Sequence, residues 1–140
     1  MERSWFDAMA ADAHSRPDVY RRLGFADLRL VLEETDGVGS RRFGLVLDGY
    51  DVHSAGQLDD VDAFGPDAVV TGPRQTWDEM AANIVAHGGA DGAHTLNALS
   101  IAEEPLRVTA PNPIGRDKFF RYAETLQTLF DSLAAVPSAA

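Results

Sequence analysis

Four histidines, His14, His53, His87 and His94, are the side chains suited to proton transfer near neutral pH. A helical metal site wants two histidines four residues apart, or a tight histidine and carboxylate cluster, and no pair here has that spacing. His87 and His94 flank Gly88-Gly89-Ala90-Asp91-Gly92 and could meet Asp91 in a loop. A helix-end histidine facing the negative end of the helix dipole explains the same pattern without a metal. Asp48, Asp51 and His53 form a second small set, with Asp51 and His53 on one face of an alternating segment. No stretch has the spaced aspartates and closing glutamate of a calcium loop. Ser40 and Ser54 are the serines near glycines, and Ser54 adjoins His53. Strand neighbours point to opposite faces, so that pair cannot act as nucleophile and base. Gly37-Val38-Gly39 and Gly88-Gly89 read as turns, and Pro73 after Gly72 offers no N–H to a phosphate. The expectation is a protein that holds a small molecule, with no catalytic residue, metal or cofactor.

The bulk composition narrows what that molecule is. With 140 residues, 45% hydrophobic and 24% charged, the chain suits one globular domain with a substantial core. The absence of cysteine removes disulfides and thiolate chemistry. A net charge of −10, with Arg21-Arg22 and Arg41-Arg42 as the basic doublets, excludes nucleic acid, which is bound through clustered cations. The same charge disfavours docking on anionic lipid. No run approaches a bilayer span or a signal peptide, so no stable membrane insertion and a cytoplasmic location are expected.

The elements that would position these residues follow from periodicity. Ser4 to Asp7 resembles a capping box opening a helix with Trp5, Phe6, Met9 and Ala13 at helical spacing. Pro17 starts a second short helix, Asp18 to Leu23, closed by Gly24. Leu28, Leu30 and Leu32 alternate with Arg29, Val31 and Glu33, and after a turn at 36–40 Phe43, Leu45 and Leu47 alternate likewise, predicting a β-hairpin. Tyr50 to Leu58 predicts a third strand and 59–62 a solvated loop. Asp67 to Gly72 is a strand, followed by a helix that a Thr76–Glu79 capping box would open and Gly88-Gly89 would stop. The stretch 93–102 fits a short helix or a buried connector. Leu106 to Thr109 is a last strand, and from Asp117 the residues Phe119, Tyr122, Ala123, Leu126, Leu129, Phe130 and Leu133 trace an amphipathic helix. The order predicts an α+β fold, a twisted and mainly antiparallel sheet of about five strands covered by helices. Residues 1–136 form one domain with an N-terminal helical extension at 1–24, and 137–140 a frayed tail.

From about Phe25 to Leu133 the chain resembles the sterol carrier protein 2 family. The resemblance rests on the hairpin Leu28 to Leu47, on Asp67-Ala-Val-Val-Thr-Gly72 leading into Thr76-Trp77, on Gly88-Gly89 with Leu96 and Leu99, and on Leu106-Arg107-Val108 before the amphipathic helix. It departs at Glu103-Glu104-Pro105 and Ala110-Pro111, where the family favours glycine, and it has no peroxisomal address at its C-terminus. The resemblance implies an apolar tunnel walled in part by the last helix and filled by a lipid, sterol or other apolar metabolite.

On that reading Phe43, Leu45, Trp77, Met80, Ile84, Leu99, Phe119, Phe120, Tyr122 and Leu126 would line the ligand site. Aromatics at such spacing are ordinarily core. Adjacent Phe119 and Phe120 point about 100° apart on a helix, however, and spread apolar surface wider than one packing stripe needs. Arg107 or Tyr122 would orient the ligand's head, and the partner would be an enzyme or a second copy in a homodimer. The rival is a small-pocket enzyme of the ketosteroid-isomerase type, using Asp48, Asp51 and His53. A third reading makes the Phe119-Phe120 face a protein interface.

Overall fold

Leucines at every second position build the centre of the sheet. The computed structural model describes residues 1–136 and residue 139. Strand β1 (Ala26–Thr35) turns all three leucines, Leu28, Leu30 and Leu32, to one buried face. It pairs antiparallel with β2 (Ser40–Gly49) across a turn in which the Asp36 carboxylate accepts the Val38 and Gly39 N–H groups at 3.1 Å. Strand β3 (Asp51–Gln57) continues the meander, with a bulge opposite Gly44 and Leu45. The chain then crosses over to β4 (Ala68–Pro73), parallel to β1, and returns through β5 (Arg107–Thr109), antiparallel to β4. The order is β3-β2-β1-β4-β5, five strands of which one adjacent pair is parallel, as the expected α+β layout requires.

Helices cover the leucine face. They are α1 (Arg3–Ser15), α2 (Pro17–Leu23), α4 (Arg74–His87), the short α5 (Leu96–Ser100), α6 (Pro113–Arg121) and α7 (Ala123–Asp131), then a 3-10 turn at Ser132–Ala135. Helix α3 (Val61–Phe64) lies on the other face. There Arg29 stacks 4.3 Å above the Phe64 ring, which presses on Gly44 so closely that a Cβ would sit 3.0 Å from it. The N-terminal helices share the common core: Phe6 stacks on Phe43 at 5.0 Å, and Trp5, Met9 and Tyr20 are buried.

Several local expectations are corrected. Neither capping box forms, because both helices begin earlier: α1 starts after Glu2 and α4 after Pro73, without side-chain caps. The carboxylates read as cap partners stand one turn inside instead, Asp7 facing Arg3 at 3.8 Å and Glu79 accepting from Gln75 at 2.9 Å. The acidic run 59–62 is partly helical, with Asp60 capping α3 through the Ala63 N–H at 3.0 Å. The last helix starts not at Asp117 but at Pro113, capped by Asn112, and it breaks at Tyr122 into α6 and α7. The expected fraying at 137–140 falls, apart from Ala139, outside the described residues; Ala139 is buried.

The start of α6 is fixed by a close approach. A Cβ on Gly115 would lie 1.8 Å from the Asp67 carbonyl oxygen, so only glycine lets α6 rest against the start of β4. Gly115→Ala should therefore cost about 1–3 kcal/mol, the usual range for overpacking. Urea unfolding measures it, and an unchanged midpoint would show that α6 does not bear on Asp67.

Candidate functional site

The residues expected to line a ligand site do converge, in the layer between the leucine face of the sheet and the helices. Phe43, Leu45, Trp77, Met80, Ile84, Phe119 and Leu126 are each at most 1% exposed. Leu99, Phe120 and Tyr122 are half-buried against the same cluster. Each position follows from local sequence: strand alternation turns in Phe43 and Leu45, and helical spacing places Trp77, Met80 and Ile84 on one face of α4. Trp77 stacks on Phe130 of α7 at 6.3 Å and its indole N–H donates to the Glu33 carbonyl at 3.1 Å, locking α4 to both β1 and α7. Phe119 and Phe120 meet edge to face at 5.0 Å, with Phe119 fully inside and Phe120 at the rim under the Arg116 guanidinium. Burial of Phe119 removes it from any exposed interface face.

Helix α7 has an opening on each side. On one, a groove of about 480 Å³ is lined by Thr95 and Asn97 beside α5, by Phe120 and Arg121 of α6, and by Ala123, Glu124 and Gln127 of α7. On the other, a narrow crevice of about 10 Å³ lies among Tyr20, Ala26, Leu47, Val52 and Thr125. Between them Leu126, Leu129 and Phe130 face the core.

The segment that roofs the groove is tied to α7 by a polar clasp. Gln127 accepts the Leu96 N–H at 2.8 Å and donates to Asp131 at 2.8 Å, while Asp131 accepts the Ala90 N–H at 3.0 Å. At its outer end Asn83 bridges to Asp91 in both directions at 2.9 Å. Asp91, at an exposed position, is held down to about 2 by hydrogen bonds from His94 and Asn83. Those bonds close a loop turn, with His94 Nδ1 2.6 Å from Asp91 and His87 Nδ1 2.9 Å from the Asn83 carbonyl. No group of histidines and carboxylates with metal-binding geometry occurs among the described residues. Near the crevice, Asp12 binds Arg16 and accepts the Tyr20 hydroxyl at 2.7 Å. Burial raises the Asp12 pKa, but the hydrogen bonds from Arg16 and Tyr20 outweigh it and leave the carboxyl below its ordinary 3.8. Burial and the same carboxylate push the Tyr20 phenol up.

The proton-transfer set does come together, on one face of the sheet margin: Asp48 near the end of β2 pairs across to Asp51 at the start of β3, with His53 two residues along the edge strand. All three are exposed, and no enclosed pocket surrounds them among the described residues to hold a substrate. Ser54 lies on the opposite side of the strand, where its hydroxyl accepts the Gly56 N–H at 3.2 Å. Arg107 is exposed on β5, away from the core layer. Gln127, Asp131 and Thr125 escape the reading from spacing alone. Their signal is present as polar residues inside an apolar period, with Gln127 and Asp131 one turn apart.

No protein-family model matches the chain, and no curated protein matches it. Solved structures do align with it. A conserved hypothetical protein of Thermus thermophilus, suggested to be a sterol carrier protein, superposes with a TM-score of 0.58 over 98% of this chain and 91% of its own, at 12% identity. Sterol carrier protein 2 of Yarrowia lipolytica aligns with 92% of this chain and 88% of its own at TM-score 0.48 and 16% identity. A UbiJ-SCP2 ubiquinone synthesis protein aligns with 90% and 88% at 0.44 and 17%. At such identity the first likeness establishes the fold alone, and the two below 0.5 add nothing to it.

Two outcomes follow from the polar contacts. Gln127→Ala should speed amide exchange at Leu96, and Asp131→Ala at Ala90, by about fivefold or more, the worth of one net hydrogen bond. Amide exchange at Leu96 and Ala90 read by NMR and left unchanged by these substitutions would refute the clasp. Asp12→Asn should cost about 1 kcal/mol at neutral pH. Because the folded carboxyl titrates below its unfolded value, the difference from wild type should persist above pH 3.8 and shrink as the pH falls below it, as urea unfolding across that range would show.

Proposed function

We propose that this chain, which has the sterol carrier protein 2 fold, is a non-catalytic carrier for a small apolar molecule held beneath α7. The supporting observation is the construction of the helical wall. The largest apolar side chains of the sheet and of α4 meet a C-terminal segment that breaks at Tyr122, beside a groove roofed by the five-residue α5. A long unbroken helix would have to lift as a whole to admit a ligand. Here α5 and the Tyr122 break are short parts that can part locally, so the cost of opening is confined to few residues.

In this reading Phe120, Tyr122 and Leu99 stand at the mouth. Phe43, Leu45, Trp77, Met80, Ile84, Phe119 and Leu126 exchange contacts among themselves for contacts with the ligand. Burying about 300 Å² of ligand surface would contribute roughly 7 kcal/mol before ordering costs. That suffices for reversible holding and release to a partner enzyme. No helix among the described residues is long and apolar enough to cross a membrane, and the net charge of −10 works against adhesion to anionic lipid. That charge favours delivery to a protein partner over delivery to an anionic bilayer.

Protein purified under native conditions and extracted with solvent should yield an apolar compound in near-stoichiometric amount by mass spectrometry. Phe120→Asp should abolish its retention while leaving the circular dichroism spectrum unchanged. An empty extract, together with no uptake of any fluorescent apolar probe, would end the carrier reading.

A further inference from the structure

Exposed aromatic surface gathers at one end of the sheet. Phe25 precedes β1 and Tyr50 sits in the turn between β2 and β3, and the two rings meet edge to face at 6.0 Å. They are 65% and 49% exposed, so the core uses little of either. The corner they make is set by the backbone: Gly49 has φ +70°, and a Cβ there would lie 3.3 Å from the Phe25 ring. Aromatic side chains are enriched at protein interfaces over the rest of a protein surface, and tyrosine is among the residues that carry binding there.

The charge beside this corner is of one sign. Asp27 and Asp48, each two residues along the chain from Phe25 and Tyr50, stand directly opposite one another, and Asp48 stands directly opposite Asp51. Three carboxylates therefore form a row across three adjacent strands, on the face turned away from the leucines. Like charges so placed destabilise a sheet, and little offsets the effect. Lys118 Nζ reaches Asp27 at 3.3 Å but is shared with Asp67 at 3.7 Å. Arg29, the next outward residue of β1, gives its guanidinium to the Phe64 carbonyl and ring. Among the described residues Asp48 and Asp51 have no lysine or arginine partner, and the row has no metal-binding geometry.

A cation with a flat face suits such a surface. Guanidinium stacks on aromatic rings and gives paired hydrogen bonds to carboxylates, whereas an ammonium is a compact, strongly hydrated point charge. A choline lipid headgroup carries a phosphate with it, which the carboxylate row repels. We infer that the Phe25–Tyr50 corner and the Asp27–Asp48–Asp51 row form a docking surface for a protein partner that presents arginine side chains. None of these residues belongs to the expected ligand layer, so the surface stands independently of the carrier reading.

A nona-arginine peptide, a nona-lysine peptide and phosphatidylcholine vesicles, each titrated into isotope-labelled protein at physiological salt and followed by NMR, test it. The arginine peptide should shift the amide signals of Phe25, Gly49, Tyr50 and Asp51 saturably and leave the acidic run 59–62 unmoved. It should bind about fivefold more tightly than the lysine peptide, and Tyr50→Ala and Asp48→Asn should each weaken it about fivefold, the worth of one surface cation–π contact or ion pair. Asp48→Asn relieves a repulsion, so its effect cannot be laid to unfolding, and Phe25→Ala takes the place of Tyr50→Ala should that variant fold poorly. No binding, shifts spread equally over 59–62, equal affinity for the two peptides, or an affinity unchanged in either variant would overturn the docking surface. So would binding of the vesicles in place of the arginine peptide. The solvent extract answers the carrier reading separately, whichever of these results is found.

Discussion

The structure depends on β1 being hydrogen-bonded on both edges while turning all its leucines to a single helix-covered face. Its antiparallel pairing to β2 needs no more than a tight turn, but its parallel pairing to β4 forces a crossover, and the chain spends β3 and α3 in making it. Every helix on the leucine face is then placed relative to β1. Helix α4 is held through the Trp77 indole on the Glu33 carbonyl, and α6 through the contact of Gly115 with Asp67 at the start of the neighbouring strand. Loss of that one strand's alternation would leave neither a floor for an apolar layer nor anchors for its roof.

Helix α7 divides the functional geometry because it is apolar on one side and differently polar on its two flanks. Toward α5 it presents Glu124 and Gln127, and Gln127 ties down the roof by accepting the Leu96 N–H. Toward α2 it presents Thr125. The middle, Leu126, Leu129 and Phe130, is ordinary core.

What the sequence discloses is the part written in periodicity. The leucine alternation in β1 and the three-and-four spacing of Trp77, Met80 and Ile84 translate directly into which side chains meet, and they do meet. Helix starts are ambiguous where a residue of the right type stands one turn inside: Asp7 and Glu79 suit a cap and an i,i+4 pair equally well, and only the backbone decides. The true start of α6 is legible in Asn112-Pro113, an N-cap followed by a proline at the first turn, but the stronger apolar rhythm further on draws the boundary past it. Whether the converging residues pack on each other or around a guest is not a matter of spacing at all. It depends on tenths of an ångström between side chains far apart in the chain, as at Trp77 and Phe130, and no local pattern encodes that.

The sheet's two margins differ from its centre in a way that matters for self-association. On one side β3 carries a bulge at Ala55 and turns Asp51, His53 and Gln57 outward; on the other β5 is three residues long. A kinked, polar margin and a stub are poor templates for another chain's backbone. Such a molecule can loosen its helical roof at high concentration without its sheet pairing edge to edge with another copy's, so transient exposure of its interior need not lead to aggregation.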